Sequence, residues 1–338
     1  MKLINNVWLL AIMALVGCQP ADEATELQQY SQQQSEQATQ NSLKQRASTK
    51  QQESDNNTRQ ITDVTGSVVT IPRQPKRVVA LSEVDLDSLL ALGIQPLGAT
   101  AGRGQTTTPS YLSDHTASVT IVGRLGLPNM DKLIELNPDL ILAGGYIDPN
   151  ALKQIKKIAP TVITHTIEEN WKEAFQRTAR LLEHEQAAEA YWAKYKKRVE
   201  QLKLILGEKA NATISVVRWN PKGPGYMLND SFISSVLKDV QLKRPEAQRQ
   251  PGVGHSPPLS LEALEKIDGD WLFVGTLVEK SKAAQALDHI KTTQVFQQLK
   301  AVQHNQVVNV DGSLWTSVGG PLAAIAVLDD LVTVFKDA

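Results

Sequence analysis

The chain has 338 residues, room for one large or two medium domains, and a formal net charge of −1. Acidic and basic residues nearly balance, and no basic stripe is interleaved with aromatics, so composition argues against a nucleic-acid partner. Hydrophobic residues make up 41% of the chain, enough for buried cores, and a single cysteine excludes both an intrachain disulfide and a cysteine-based zinc site.

Met1-Lys2 gives a short positive start, and Val7 to Val16 is a compact apolar run. The run is too short to span a bilayer, which takes ~20 apolar residues, and predicts a secretory leader over residues 1–17. It ends in Leu15-Val16-Gly17-Cys18, which resembles the bacterial lipobox. That resemblance implies acylation of Cys18 and a mature chain held by membrane lipid in the periplasm or at the cell surface. Gln19 after the cysteine leans toward the outer membrane. Residues 18–60 are rich in Gln, Ser, Asn, Glu and Lys and sustain no apolar heptad. Such a stretch buries too little apolar surface to offset chain ordering and predicts a disordered tether.

A first α/β lobe is predicted over residues 61–167. Val64 to Ile71 reads as a hairpin around Gly66-Ser67, followed by a buried strand at Arg77–Leu81. A helix over Glu83–Leu92 is closed by Gly93. Further strands are predicted at Pro96–Thr100, Val119–Gly123, Leu140–Ala143 and Thr161–Thr164, with helices at Met130–Leu136 and Asn150–Ile158. Alternation of short apolar strands with helices implies parallel sheet covered on both faces.

Residues 168–207 run to Gly207 without an internal Pro or Gly, and Trp171, Phe175, Ala179, Leu182, Tyr191, Tyr195, Val199 and Leu202 recur at helical spacing. The spacing predicts a connecting helix spanning roughly 60 Å, with His184-Glu185 the one place for a break. A second α/β lobe follows over residues 208–338. Its strands are predicted at Thr213–Trp219, Gly225–Leu228, Trp271–Gly275 and Gln306–Val310, and its helices at Phe232–Val240, Leu261–Ile267 and Gly320–Phe335. The expected fold class is α/β: two lobes of parallel-type sheet with flanking helices, joined by one long helix.

Five segments in order carry a family resemblance. They are Thr62-Asp63 with Ile71-Pro72 and Pro75 to Leu81; Leu89 to Gly98; Val122-Gly123 with Pro128-Asn129-Met130-Asp131; Pro138 to Leu142; and Trp315 with Gly319 to Leu331. Together the chain resembles the periplasmic iron-siderophore and vitamin B12 binding proteins. The resemblance implies a class III periplasmic binding protein that is not an enzyme and uses no cofactor. It implies a ferric siderophore taken up between the lobes of one monomer with small lobe motions, and delivered to an ABC permease. The metal is already wrapped by its chelator, so the protein is expected to offer aromatic faces and Arg donors rather than metal ligands.

Ligand candidates are the residues just after the strands. Tyr146 follows a strand and two glycines, in a segment similar to one where the ferric hydroxamate-binding protein has a ligand-contacting Tyr. Trp315 matches a ligand-stacking Trp of the same family. Arg218, with Trp219, closes a strand, and a buried Arg there is costly without an anionic partner. Arg124 and Arg103 stand at or beyond other strand ends. The family also implies one exposed acid per lobe for permease docking. In the first lobe this is Asp87, with Glu83 beside it; in the second the matching position is the uncharged Ser235, with Asp230 and Asp239 nearby.

Three other classes are weaker. A divalent-metal carrier needs several convergent His or carboxylates, whereas the six His are scattered and only His165 and His255 fall near the cleft. Haem needs one axial ligand, which Tyr146 or His255 offers, and a corrinoid fits the same fold. A hydrolase is disfavoured: Gly254-His255-Ser256 is no Gly-x-Ser-x-Gly elbow, and no phosphate-binding glycine loop precedes a helix.

Overall fold

A computed structural model describes residues 57–278 and 280–336; the leader, Cys18 and nearly all of the tether lie outside them. The first strands, β1 (Thr58–Thr62) and β2 (Val68–Pro72), form an antiparallel hairpin. Its turn is held by Asp63, whose Oδ1 accepts from the Thr65 and Ser67 amides at 2.8 and 3.1 Å. Gly66 takes the left-handed φ of 83° that the turn requires. The hairpin thus starts upstream of the expected residues, because Asp63 rather than the Gly-Ser pair organises the turn.

The first lobe is built on β3 (Val78–Ala80), β4 (Gly98–Ala101), β5 (Thr120–Arg124), β6 (Leu127–Pro128), β7 (Leu140–Ala143) and β8 (Thr161–Ile163). They form one sheet in the order β6-β5-β4-β3-β7-β8, parallel except for the two-residue β6. The second lobe has β9 (Ile214–Asn220), β10 (Gly223–Tyr226), β11 (Trp271–Gly275) and β12 (Val307–Asn309) in the order β10-β9-β11-β12, with only β10 antiparallel.

Strand periodicity decides what each residue covers. Val78, Ala80, Leu140 and Leu142 face one core, while Val79, Leu81, Ile141 and Ala143 face another. In the second sheet Ile214, Val216 and Phe273 face the first of these cores, and Val217, Trp219, Leu272 and Val274 face a third. One core is therefore common to both sheets. It is completed by α1 (Glu83–Ala91), α4 (Trp171–Leu181), α5 (Glu185–Leu206), α6 (Phe232–Asp239) and α9 (Pro321–Lys336). The remaining main helices, α2 (Met130–Leu136), α3 (Pro149–Ile155), α7 (Lys282–Ile290) and the short α8 (Gly312–Trp315), sit in sequence between strands or before α9.

The connector is two helices, not one of about forty residues. After α4 the His184 amide bonds to the Ala179 carbonyl at 2.9 Å and the Glu183 amide to Arg180 at 3.3 Å. Glu183 holds a left-handed φ of 57°. This is a Schellman stop with Glu where Gly is usual, which explains why composition gave no stop signal. The 22-residue α5 remains the longest helix described. It lies against α9 and α4, and Trp171, Trp192, Tyr191, Tyr195 and Phe175 interlock across α4 and α5 with ring centroids 5.0–6.5 Å apart.

Candidate functional site

Strands of the first sheet end in loops that turn toward the second sheet. At the reversal of strand order, β3 runs into α1 and β7 into Gly144-Gly145-Tyr146, which is where an open parallel sheet leaves a crevice. A cleft of about 810 Å³ lies there. Arg103, Tyr146 and His165 line it from the loops after β4, β7 and β8; Arg218, Phe232, His255 and Ser317 line it from the other side. Trp171, first residue of α4, is also in its wall.

Each polar group is held from behind. The Arg103 guanidinium lies 5.3 Å from the Tyr146 ring centroid, a cation–π contact that orients both. The Arg103 amide donates to Glu83 Oε1, and Ser317 Oγ donates to Glu83 Oε2 at 2.9 Å, so one carboxylate ties a first-sheet loop to the segment before α9. Glu83 is only 4% exposed, and burial pushes its carboxyl above the usual range against the pull of Arg103, Ser317 and Arg218. Arg218 is 5% exposed and donates through Nε to Thr316 Oγ1 at 3.1 Å. Burial and then Arg103 bring its guanidinium down to about 10, with Glu83 opposing, so it stays cationic at neutral pH.

The two histidines present different edges. His255 Nδ1 lies 2.7 Å from the Ser256 carbonyl, so Nδ1–H donates there and Nε2 is left unprotonated. Burial and the charges of Arg218 and Arg103 hold this imidazole below its ordinary range. His165 Nδ1 is 3.0 Å from Thr164 Oγ1, which itself donates to the buried Asp85. Its ring lies so near Gly144 that a β-carbon there would stand 2.3 Å from it. Among the described residues no group of three or more His, Cys, Asp or Glu is arranged to hold a metal ion. The Trp171 indole is fixed by Nε1–H donating to Ser235 Oγ at 2.9 Å and packs 6.1 Å from Phe232.

Of the residues expected from sequence, Tyr146, Arg103 and Arg218 come together. Trp219 does not: it neighbours Arg218 on a strand, so it points to the opposite face and packs on Phe296 in the outer core. Trp315 is fully buried, stacks on Phe273 at 4.7 Å and donates from Nε1 to Asp330 Oδ2 at 2.7 Å. It is a core residue, because the turn of α8 aims it into the sheet rather than out of it. Arg124 is exposed at the end of β5 and is not in the cleft wall.

Neither first-lobe docking acid is on the surface. Asp87 has no exposure; it accepts from the Leu322 and Ala323 amides at 2.6 and 3.0 Å and from Tyr111 Oη at 2.9 Å, capping the start of α9. Burial raises its carboxyl to about 6 despite those bonds. Glu83 is the buried tie described above. Ser235 is taken by Trp171, and Asp239 by Lys172 and Tyr195. Sequence reasoning missed Trp171 and Phe232 as wall residues. Both open a helix just after its N-cap, and aromatics in that place after a loop were the available signal.

Comparison with known proteins agrees with this architecture. The periplasmic binding protein family model matches residues 78–314. The probable siderophore-binding lipoprotein YfiY of Bacillus subtilis is 30% identical, over 97% of this chain and 96% of its own length. The achromobactin-binding periplasmic protein of Dickeya dadantii is 28% identical over 77% of this chain and 86% of its own. Among solved structures, Staphylococcus aureus SirA complexed with staphyloferrin B superposes with a TM-score of 0.70 at 24% identity, over 81% of this chain and 97% of that one, a likeness of fold.

Proposed function

The chain belongs to the periplasmic binding protein family, and from that premise we propose that it captures a ferric siderophore in the cleft and hands it to the permease of an ABC importer. The observation that carries this reading is the cleft wall itself. Two guanidiniums from opposite sheets line it together with the rings of Tyr146, Trp171 and Phe232, and no metal-ligand cluster accompanies them among the described residues. A bare ion would need ligands; a wrapped ion needs donors for its chelator's oxygens and flat apolar faces for its carbon. Names of relatives point the same way, since they are called siderophore-binding and achromobactin-binding proteins.

The core common to both sheets supports a mode of capture with small lobe motion. Wide opening would expose Phe273, Phe175 and their neighbours, each contributing roughly 2–3 kcal/mol by burial. In this reading Cys18 carries the lipid anchor, residues 18–57 are the tether, because β1 already begins at Thr58, and the lobes at 58–167 and 208–338 act as one monomer outside the cytoplasm. The permease then recognises surface groups other than Asp87 and Glu83.

The test is quenching of tryptophan fluorescence, with Trp171 in the cleft as reporter, during titration with ferric siderophores and with iron-free chelators. Saturable quenching by ferric complexes is expected, together with a ferric siderophore co-purifying from iron-starved cells and identified by mass spectrometry. A Soret band in the co-purified material, or uptake of unchelated iron alone, would overturn the proposal.

A further inference from the structure

Behind the cleft wall lies a buried carboxylate that capture of a wrapped ion does not itself require. Glu83 stands behind both cationic groups: its oxygens are engaged by the Arg103 amide and the Ser317 hydroxyl, and both the Arg103 and Arg218 guanidiniums are close enough to act on its charge. An acid enclosed in the wall itself, Glu169, is matched by Arg177, which bonds it through both terminal nitrogens. Asp230 also lines the cleft but is exposed and accepts from the Gly252 amide at 2.8 Å. Both histidines lining the cleft donate or accept through Nδ1 internally, and His255 is held neutral. The charge of the two wall guanidiniums is therefore offset from directly behind by one carboxylate, Glu83, while the buried Asp85 stands behind His165 through Thr164.

We propose, building on the siderophore reading above, that Glu83 sets the charge selectivity of the cleft, so that it takes ferric chelates of low net charge, such as a neutral tris-hydroxamate or a singly negative hydroxycarboxylate complex, and disfavours a trianionic tris-catecholate. Water is scarce around a carboxylate this buried, so its repulsion of a multiply charged ligand is weakly screened. A trianion would bring three charges to a site that neutralises one. Glu83 is a positioning and charge-setting residue here; it does not touch the ligand, since Arg103 and Ser317 stand between.

The experiment compares three ferric complexes on the unmodified protein: a neutral ferrichrome-type tris-hydroxamate, a tris-hydroxamate carrying one free carboxylate and so a single negative charge, and a synthetic tris-catecholate. The low-charge complexes should bind at least about tenfold tighter than the trianion, and the trianion's affinity should depend more steeply on salt. Glu83→Gln keeps an acceptor for the Arg103 amide and removes the charge. It should narrow the gap by about tenfold, strengthening the trianion while changing the neutral complex little. A merely structural Glu83 would weaken all three alike, and that result overturns the assignment, as does a trianion bound best by the unmodified protein. Should Glu83→Gln fail to fold, the comparison and salt series on the unmodified chain decide alone. If no ferric complex binds at all, the siderophore reading falls and this inference with it; if they bind without regard to charge, only the inference falls.

Discussion

Two buried arginines of the second lobe are alike in burial and opposite in use. Arg244, 6% exposed, lies behind β9, where its terminal nitrogens donate to Ser234 Oγ, to the Met227 carbonyl at 3.0 Å and to Gln248 Oε1 at 2.6 Å. Gln248 passes the network on to Ser215 Oγ at 2.7 Å and the Lys266 carbonyl. Arg218 is as buried, yet among the described residues only its Nε is bonded, to Thr316, and the group opens on the cleft. Burial brings both guanidiniums down, to about 9 and about 10. A buried cation whose terminal nitrogens are engaged by the fold, as in Arg244 with only Nε left over, is architecture. One whose donors are left over is prepared for a ligand, since unmatched buried charge is costly.

The sharpest test of that contrast is Arg244→Met. It strands Ser234, Gln248 and the Met227 carbonyl, and should cost about 3 kcal/mol in urea unfolding while the protein that remains folded binds chelate normally. Arg218→Ala should do the reverse. Affinity for an anionic chelate should fall about 30- to 100-fold in fluorescence titrations, with stability unchanged or slightly raised. Equal loss of stability in both variants would erase the distinction.

A related contrast exists among acids, between Glu83, enclosed directly behind the cleft arginines, and Asp87, enclosed at the start of α9. Asp87 has its carboxyl raised from 3.8 to about 6, so between those values the native state holds a proton that the unfolded chain has lost. Stability from this group therefore falls as pH rises through about 4 to 6, by about 2–3 kcal/mol, and is flat above. Unfolding at a series of pH values should show that slope in the native chain and its loss in Asp87→Asn. Trp315→Phe should cost about 1–2 kcal/mol, from the orphaned Asp330, without altering chelate affinity. A weakened affinity would return Trp315 to the site. The smallest effect belongs to Arg124→Ala: within about 0.5 kcal/mol of the parent in stability, and no measurable change in binding.

Much of the fold was legible because its signals are local. Short continuous apolar runs such as Arg77–Leu81 and Leu140–Ala143 gave strands, Gly93 gave a helix stop, and motifs spread from Thr62 to Leu331 gave the family. The candidate site was legible only in part: Tyr146, Arg103 and Arg218, picked from their places at strand ends, line the cleft, while Trp219 and Trp315, equally conspicuous, pack in the cores. The helix stop at Glu183 falls beside His184-Glu185, where the sequence left room for a break, with a non-glycine residue holding the left-handed turn.

What the sequence determined by itself was where the apolar strands run, where strands give way to helices, and which family the chain belongs to. Only the tertiary structure decided which face of each strand meets the cleft. It also decided that Asp87 and Glu83 are enclosed rather than displayed. The reason is physical: periodicity is fixed by backbone geometry within one segment, but burial depends on partners hundreds of residues away, as Asp87 depends on the amides of Leu322 and Ala323.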